Sequence, residues 1–468
     1  MHPGTAIGIR DAIARSALTA ERAVTAALER IAREDPALNA FISICAERAL
    51  TRARALDQAS APTGPLHGVP VAIKDTIAVR GVRLTAGSRV LGDYVAAYDA
   101  TVVARLESAG AVIVGKTNCD EFAMGSSTEH SAFGPSRHPR DPGRTPGGSS
   151  GGSAVAVAVG MAPIALGSDT GGSVRQPAAL CGVVGARPTY GRVSRYGLIA
   201  FASSLDQVGP LATTVADAAL VQDVIAGPDP KDATCVAAAT ACSAAIGQGV
   251  RGLRVGVPRH LLEAGVAPDV LAAFEASLEA LARLGVEIDT VELPHSRHAI
   301  AVYYLVATAE ASSNLARYDG VRYGARVEAD SIADLYARTR SAGFGAEVKR
   351  RIMLGTYALS AGYAEAFYLK AQAVRRLIQQ DFVRALAGRQ AIALPTSPTT
   401  AFRLGERVAD PLQMYLSDVF TVGPSLAGLP SISVPMGTAA DGLPVGLQLT
   451  GRAWDDAMVY RLAHALHD

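Results

Sequence analysis

The chain has 468 residues, of which 49% are hydrophobic, and its 44 basic residues nearly balance its 43 acidic ones. A chain of this length can bury an extensive core. Proteins that hold nucleic acid on their own normally carry a basic excess, so the net charge of +1 indicates that any nucleic-acid role depends on a partner. The five cysteines are scattered and form no C-x-x-C pair, which argues against a disulfide framework and a structural zinc site.

The first residues lead directly into a helical pattern, without the apolar run of a signal segment. The apolar stretch SAVAVAVGMAPIALG, residues 153–167, is too short and too interrupted by glycine to span a bilayer. We therefore expect a cytoplasmic protein with reduced thiols and no membrane contact.

The N-terminal part begins with two alanine-rich segments, residues 19–35 and 46–60, whose charged faces predict helices. LNAFISI between them predicts a short strand. From residue 64 onward the pattern changes, and VPVAIK at 69–74 predicts a strand that is buried on both faces.

A helix closed by glycine at 99–110 and a short strand at 111–114 follow, which indicates a parallel sheet with right-handed crossovers. Further strands are predicted at 163–167, 253–258, 286–293, 391–395, 431–435 and 445–451. Further helices are predicted at 267–284, 298–317, 345–386 (with a break allowed) and 455–466. We expect one large α/β body, with the softest boundary near residues 227–237.

GAVIVGKT, residues 110–117, matches the P-loop pattern G-x-x-x-x-G-K-[ST]. In a P-loop, the residues between the two glycines form an open loop whose N–H groups wrap phosphate. Here those residues are Ala, Val, Ile and Val, which favour a strand. We therefore predict a helix–strand junction at this place and no nucleotide site.

PGGSSGGS, residues 146–153, contains the pattern G-x-S-x-G twice, centred on Ser149 and on Ser150. In α/β-hydrolases this motif follows a central strand. Here it follows HPRDPGRTPGG, whose prolines are incompatible with a central strand. The nine histidines stand mostly in polar stretches, and none is placed as a catalytic base, so a Ser-His-Asp hydrolase is disfavoured.

A second glycine–serine turn, GSDTGGSVRQPAA, occupies residues 167–179. Because each turn opens an apolar helix, backbone N–H groups converge there, and Ser173 would stand at a helix N-terminus. The glycines would let a substrate carbonyl approach, so the turn is similar to an oxyanion hole. Its N–H groups would be those of Thr170, Gly171, Gly172 and Ser173.

Without a histidine, the candidate base for a serine nucleophile is a lysine, which can act only when it is neutral. Lys74 ends the apolar strand predicted at 69–74. Its head would therefore lie at the carboxyl end of the strand, where the sites of α/β proteins collect.

Lys74, Ser149 and Ser173, together with the two glycine–serine turns, resemble the amidase signature family. The resemblance implies an α/β fold with a large mixed central sheet and helices on both faces. It implies one domain over residues 1–468, in which a helical segment at 1–63 packs on a catalytic core at 64–468. Ser173 would be the nucleophile, Lys74 the base and Ser149 the proton shuttle, after a cis Gly148–Ser149 peptide.

From about residue 66 onward, longer stretches are similar to one branch of that family, the A subunits of bacterial glutamyl-tRNA(Gln)/aspartyl-tRNA(Asn) amidotransferases. They include EFAMGSSTEHSAFGPSRHPRD, PTYGRVSRYGLIAFASSLDQVGP and GLPVGLQLTGRAWDD. This resemblance implies a glutaminase that forms a γ-glutamyl ester and passes ammonia to a partner, in a heterotrimer with two other subunits. The partner would hold most of the tRNA and use ATP and Mg²⁺. This chain would need no cofactor and no metal.

The same resemblance implies that Tyr303, Arg351 and Asp418 hold glutamine. Arg351 would pair with the α-carboxylate in a bidentate contact, and Asp418 would bind the α-ammonium. The neighbouring Tyr304 and Arg350 stay open as alternatives. A stand-alone amidase that cleaves small aliphatic or aromatic amides with the same triad is the alternative function.

Overall fold

The computed structural model describes residues 4–238, 241–263 and 265–467, so the first three residues of the predicted N-terminal segment lie outside the described residues. Eleven strands of the described chain form one mixed sheet in the order β1-β3-β2-β4-β6-β5-β10-β11-β9-β7-β8. The strands are β1 (Phe41–Ile44), β2 (Pro70–Lys74), β3 (Val112–Thr117), β4 (Ile164–Asp169), β5 (Val184–Arg187), β6 (Gln207–Ala212), β7 (Arg254–Val257), β8 (Glu287–Thr290), β9 (Ala391–Pro395), β10 (Ser431–Thr438) and β11 (Pro444–Gly451).

Fifteen α-helices lie in the described parts of the chain. The first eight are α1 (Ala6–Ala14), α2 (Ala20–Leu38), α3 (Ala46–Asp57), α4 (Thr101–Ser108), α5 (Gly151–Ala158), α6 (Arg175–Cys181), α7 (Val215–Ile225) and α8 (Pro268–Arg283). The others are α9 (Ala299–Asn314), α10 (Ile332–Gly343), α11 (Ala346–Ala358), α12 (Lys370–Ala385), α13 (Pro411–Leu416), α14 (Val422–Ala427) and α15 (Asp456–His467). A π-helical turn, Ala364–Leu369, leads into α12.

Alternate side chains of the central strands enter two separate cores. Val71 and Ile73 of β2 pack in a core that also contains side chains of α4, α7 and α15. Ala72 packs in the other core, with α2, α3 and α5. Since successive residues of a strand point to opposite faces, helices cover both faces of the sheet. The α/β architecture with a mixed, doubly covered sheet is therefore confirmed.

The positions of β2, β3 and β4 in the sheet determine where the site can form. β2 lies between β3 and β4 and runs parallel to both. The carboxyl ends of parallel neighbours meet at one edge of the sheet, so Lys74 at the end of β2 comes close to Asp169 at the end of β4. The segments that follow these two strands are thereby brought together.

The P-loop match is a strand, as expected. β3 is buried along its whole length and continues through Gly115, Lys116 and Thr117. Lys116 forms a 2.9 Å ion pair with Asp75, and both side chains are fully buried. The lysine of the G-K-T sequence thus has a partner inside the protein.

Each strand and helix predicted above is found, with ends that shift by a few residues. The long helical prediction at 345–386 corresponds to α11, the π-helical turn and α12. β5, β6, α7, α10, α13 and α14 were not predicted. Residues 227–237 form an irregular connection after α7. In the described ranges, no helix combines the length and the apolarity that a membrane crossing needs.

Candidate active site

The two glycine–serine turns meet at the edge where β2 and β4 end. Ser149 and Ser150 directly precede α5, and Ser173 lies shortly before α6. The N–H of Ser150 donates a 3.1 Å hydrogen bond to the carbonyl oxygen of Ser173, which joins the two turns. The Gly148–Ser149 peptide is cis, as the family resemblance implied.

Lys74 is buried among hydroxyl and carbonyl oxygens. Its Nζ donates to Ser149 Oγ at 2.7 Å, to Ser150 Oγ at 2.9 Å and to Ser168 O at 3.4 Å. No ion pair involves Lys74 in the described part of the chain. Burial lowers the pKa of this amine to about 8, against the opposing effect of Cys119 and nearby carboxylates. A useful fraction of Lys74 is therefore neutral close to physiological pH, as a general base requires.

Ser150 is a site residue that the sequence did not single out. Besides accepting from Lys74, its Oγ donates to the carbonyl oxygen of Ser168 at 3.2 Å and accepts from the Ser168 N–H at 3.3 Å. Ser150 therefore fixes the head of Lys74 against the end of β4. The only signal for it was its position beside Ser149 in a doubled serine motif.

Residues 170–173 form a turn that is fixed by a side-chain contact, whereas its backbone N–H groups are not used in hydrogen bonds within the described residues. In the described parts of the chain, no hydrogen bond is donated by their four N–H groups, so these donors are available to an oxyanion. Thr170 Oγ1 donates to Asp206 at 2.6 Å, and burial raises the pKa of Asp206 to about 6. Ser173 is 8% exposed at this turn, which leaves its side chain within reach of a bound ligand.

A buried ion-pair cluster anchors the start of the same turn. Arg175 contacts both carboxylate oxygens of Asp169 at 3.0 Å, and Arg187 pairs with the same carboxylate at 3.1 Å. Burial raises the pKa of Asp169, but the two arginines outweigh it and hold the pKa well below its usual range. Because the carboxylate stays charged and is bound by Arg175 in a bidentate contact, it holds the first residues of the turn in place.

The other wall of the site is formed by Tyr303 and Asp418. A β-carbon on Gly171 would lie 2.6 Å from Cζ of Tyr303, and one on Gly172 would lie 3.2 Å from Oδ1 of Asp418. Both residues therefore touch the turn that carries Ser173. The family resemblance implied that both hold the substrate, and the fold brings Tyr303 from α9 and Asp418 from the segment after α13 to this turn.

Asp418 presents a free acceptor to this space. The hydroxyl of Ser126 donates to Oδ2, whereas Oδ1 is buried without a hydrogen-bond partner in the described part of the chain. Burial raises the pKa of Asp418 to about 7. An unpaired buried carboxylate is costly unless a cation reaches it, so Asp418 is suited to bind an ammonium group.

Arg351 is buried in an aromatic surrounding. Its guanidinium carbon lies 5.6 Å from the ring centre of Phe201, 5.1 Å from that of Tyr304 and 5.5 Å from that of Tyr415. Its Nε donates to Glu347 at 2.8 Å. Within the described residues, the terminal nitrogens of Arg351 make no hydrogen bond, so they can meet an anion.

The structure also separates the two pairs of neighbouring candidates. Arg351 is 3% exposed on its side chain, whereas Arg350 is 40% exposed on the outer side of α11. Tyr303 touches the serine turn, whereas Tyr304 stacks on Tyr415 with ring centres 3.6 Å apart. Arg351 and Tyr303 are therefore better placed than their neighbours for contact with a ligand at Ser173.

Comparisons with known proteins agree with this site. Residues 22–460 match the family described as Amidase. The glutamyl-tRNA(Gln) amidotransferase A subunit of Koribacter versatilis is 57% identical, over 98% of this chain and 96% of its own length. That of Anaeromyxobacter dehalogenans is also 57% identical, over 98% of this chain and 95% of its own length. The crystal structure of the Thermotoga maritima A subunit superposes with a TM-score of 0.81 at 47% identity, covering 96% of this chain and 94% of that one. The chain therefore belongs to the amidase family and, within it, to the glutamyl-tRNA(Gln) amidotransferase A subunits.

Proposed function

We propose that the chain is the ammonia-producing subunit of a tRNA-dependent amidotransferase and hydrolyses the side-chain amide of glutamine. The observation that carries this proposal is the environment of Lys74, a buried amine that hydrogen-bonds to Ser149 without a carboxylate partner. Such a lysine can accept a proton. Beside it lies the turn with Ser173, whose four N–H groups donate no hydrogen bond within the described residues.

The reaction then proceeds in two acyl-transfer steps. Neutral Lys74 takes the proton of Ser149 as Ser149 takes the proton of Ser173, and Ser173 Oγ attacks the amide carbon of glutamine. The N–H groups of residues 170–173 stabilise the oxyanion. The proton returns through Ser149 to the departing nitrogen, which leaves as ammonia. Water then attacks the γ-glutamyl ester by the same route and releases glutamate.

The substrate is held at the opposite wall of the site. The terminal nitrogens of Arg351 receive the α-carboxylate, and the free Oδ1 of Asp418 receives the α-ammonium. Tyr303 packs against Gly171 of the serine turn. An amino acid that carries both charges fits this arrangement better than a simple amide, which favours glutaminase activity over a general amidase activity.

The ammonia serves a reaction that takes place on other subunits. We propose that two partner chains complete a heterotrimer, and that one of them holds mischarged tRNA and activates it with ATP and Mg²⁺. The near-neutral net charge of +1 supports this division, because this chain lacks the basic excess that tRNA binding needs. The described residues contain no group of three or more side chains suited to hold a metal.

The test is ammonia release from glutamine by the purified chain, first alone and then with both partner subunits, mischarged tRNA and ATP. We expect turnover to rise sharply in the complete complex and to disappear in Ser173→Ala. Turnover of small aliphatic or aromatic amides by the lone chain, with glutamine ignored in the complex, would instead identify a stand-alone amidase.

A further inference from the structure

We propose that Glu347 is a positioning residue for substrate recognition, which fixes Arg351 through its Nε and leaves the terminal nitrogens aimed at the α-carboxylate of glutamine. This inference rests on the proposed function. The inference adds to that function a residue that does not touch the substrate. This residue decides how well an amino acid is distinguished from an amide without a carboxylate.

Glu347 is almost completely buried, and both of its oxygens are in use. Oε1 accepts from Arg351 Nε at 2.8 Å and from the hydroxyl of Tyr415 at 3.0 Å. Oε2 pairs with Arg350. Burial raises the pKa of Glu347, but Arg351 outweighs it and lowers the pKa below its usual value. The carboxylate is thus charged and is held from three sides, so it cannot turn to follow Arg351.

The contact at Nε is the reason that this pair can position a ligand. A carboxylate placed across the two terminal nitrogens of an arginine would occupy the fork that binds another carboxylate. Glu347 instead occupies the side of the guanidinium, one helical turn before Arg351 on α11. The rings of Tyr304 and Tyr415 then prevent the plane from tilting.

Glu347 also supplies the charge that Arg351 needs when no substrate is bound. A buried arginine without a counterion is strongly destabilised. The opposite role would be to weaken binding, because the Glu347 carboxylate repels the α-carboxylate of an incoming substrate. The two roles predict opposite changes of KM when Glu347 is removed, and the complete bonding of Glu347 favours positioning.

Three substrates separate these effects. Glutamine carries both α-groups, glutaramate lacks the ammonium, and 4-aminobutanamide lacks the carboxylate. For Glu347→Ala we expect KM to rise about tenfold or more for glutamine and glutaramate, since one misaligned charge-assisted contact is worth that much. kcat for glutamine and kcat/KM for 4-aminobutanamide should stay within about threefold of the unsubstituted enzyme.

Two further variants test how Glu347 acts. Glu347→Gln keeps an oxygen that accepts from Arg351 and from Tyr415, and it should restore most of the lost KM. Glu365→Ala removes an exposed glutamate of the neighbouring π-helical turn and serves as the control. Binding of glutamine and 4-aminobutanamide to Ser173→Ala and Ser173→Ala/Glu347→Ala, measured by calorimetry, repeats the comparison without turnover. Thermal unfolding of each variant reports whether it is folded.

An unchanged or lower KM for glutamine in folded Glu347→Ala, or an equal loss for all three substrates, would overturn the proposal. Failure of the proposed function gives a different result, because the unsubstituted complex would then release no ammonia from glutamine. If Glu347→Ala does not fold, Tyr415→Phe still decides: KM should rise only for the two substrates that carry a carboxylate, and an unchanged KM for both would overturn the proposal.

Discussion

Lys74 Nζ donates a 2.7 Å hydrogen bond to Ser149 Oγ, and no carboxylate of the described residues forms an ion pair with this amine. The contrast with Lys116, the other buried lysine of the two neighbouring strands, explains why this matters. Lys116 is ion-paired with Asp75 at 2.9 Å, which gives its charge a fixed partner. Within the described residues, Lys74 contacts hydroxyl and carbonyl oxygens. These accept hydrogen bonds from the amine but do not stabilise its charged form as a carboxylate would.

The first prediction concerns the pH dependence of glutamine hydrolysis. Burial lowers the pKa of Lys74 to about 8, and only the neutral amine can accept a proton. kcat/KM should therefore level off above pH 8 and fall about tenfold per pH unit below it, and more steeply below about 7, where Asp418 is protonated as well. The measurement is ammonia release from glutamine at a series of pH values between about 6 and 9.5, in which the acid limb reports this pKa.

Variants of Lys74 show whether the loss of activity at low pH results from protonation of this residue. Lys74→Met should lose about 10² to 10⁴ in rate, the usual worth of acid–base help. Lys74→Arg keeps a positive charge but cannot give up its proton, so its rate should fall as far. Recovery of activity in the arginine variant would show that Lys74 acts by its charge and is not the base.

The second prediction concerns Arg351. In Arg351→Ala the α-carboxylate loses a bidentate partner, so KM for glutamine should rise about tenfold to a hundredfold. 4-Aminobutanamide has no carboxylate, and its kcat/KM should hardly change. Steady-state kinetics with the two substrates give the answer, and an equal loss for both would make Arg351 a structural residue. Arg338→Ala is the matched control, because Arg338 is exposed on α10.

The third prediction uses the ionisation of Asp418. Burial raises the pKa of this carboxyl to about 7, and only the carboxylate can pair with an ammonium. KM for glutamine should therefore decrease as the pH rises through 7, and the same should hold for 4-aminobutanamide. Glutaramate lacks the ammonium, so its KM should not follow this trend.

Asp418→Asn provides the check on that assignment. The amide carries no charge at any pH, so KM for glutamine should be high and should lose its dependence on pH around 7. The variant should leave KM for glutaramate nearly unchanged. A pH dependence that persists in Asp418→Asn would point to another titrating group in the site.

Sequence reasoning succeeded where a segment's own composition decides its structure. β2, β4 and β9 are buried on both faces, and their short continuous apolar runs, bounded by turn residues, are enough to predict them. β6, QVGPLA, was missed because it contains glycine and proline, which are usually absent from strand interiors. Pairing with β4 and β5 compensates for this composition, and pairing is not visible in one sequence.

The candidate site shows the same division. Lys74, Ser149 and Ser173 could be proposed from two turns and one strand, because each turn has a composition of its own. Glu347 could not, since a glutamate four residues before an arginine on a helix is usually a solvated pair. Only the folded structure brings the hydroxyl of Tyr415, 68 residues away, into contact with the Glu347 carboxylate and buries that carboxylate.

The last prediction concerns the backbone of the serine turn. Gly172 has a φ of +146°, and a β-carbon there would lie 2.2 Å from Oγ1 of Thr421. Gly172→Ala should therefore displace the turn, cost about 1–3 kcal/mol in unfolding free energy and remove nearly all glutamine hydrolysis. Gly160→Ala is the matched control, since Gly160 has a φ of +72° but no atom within 4 Å of the added carbon. Ammonia release and thermal unfolding of both variants separate the two causes. A loss of stability in both variants, with a loss of activity only in Gly172→Ala, would show that the conformation of the serine turn, and not stability alone, decides the activity.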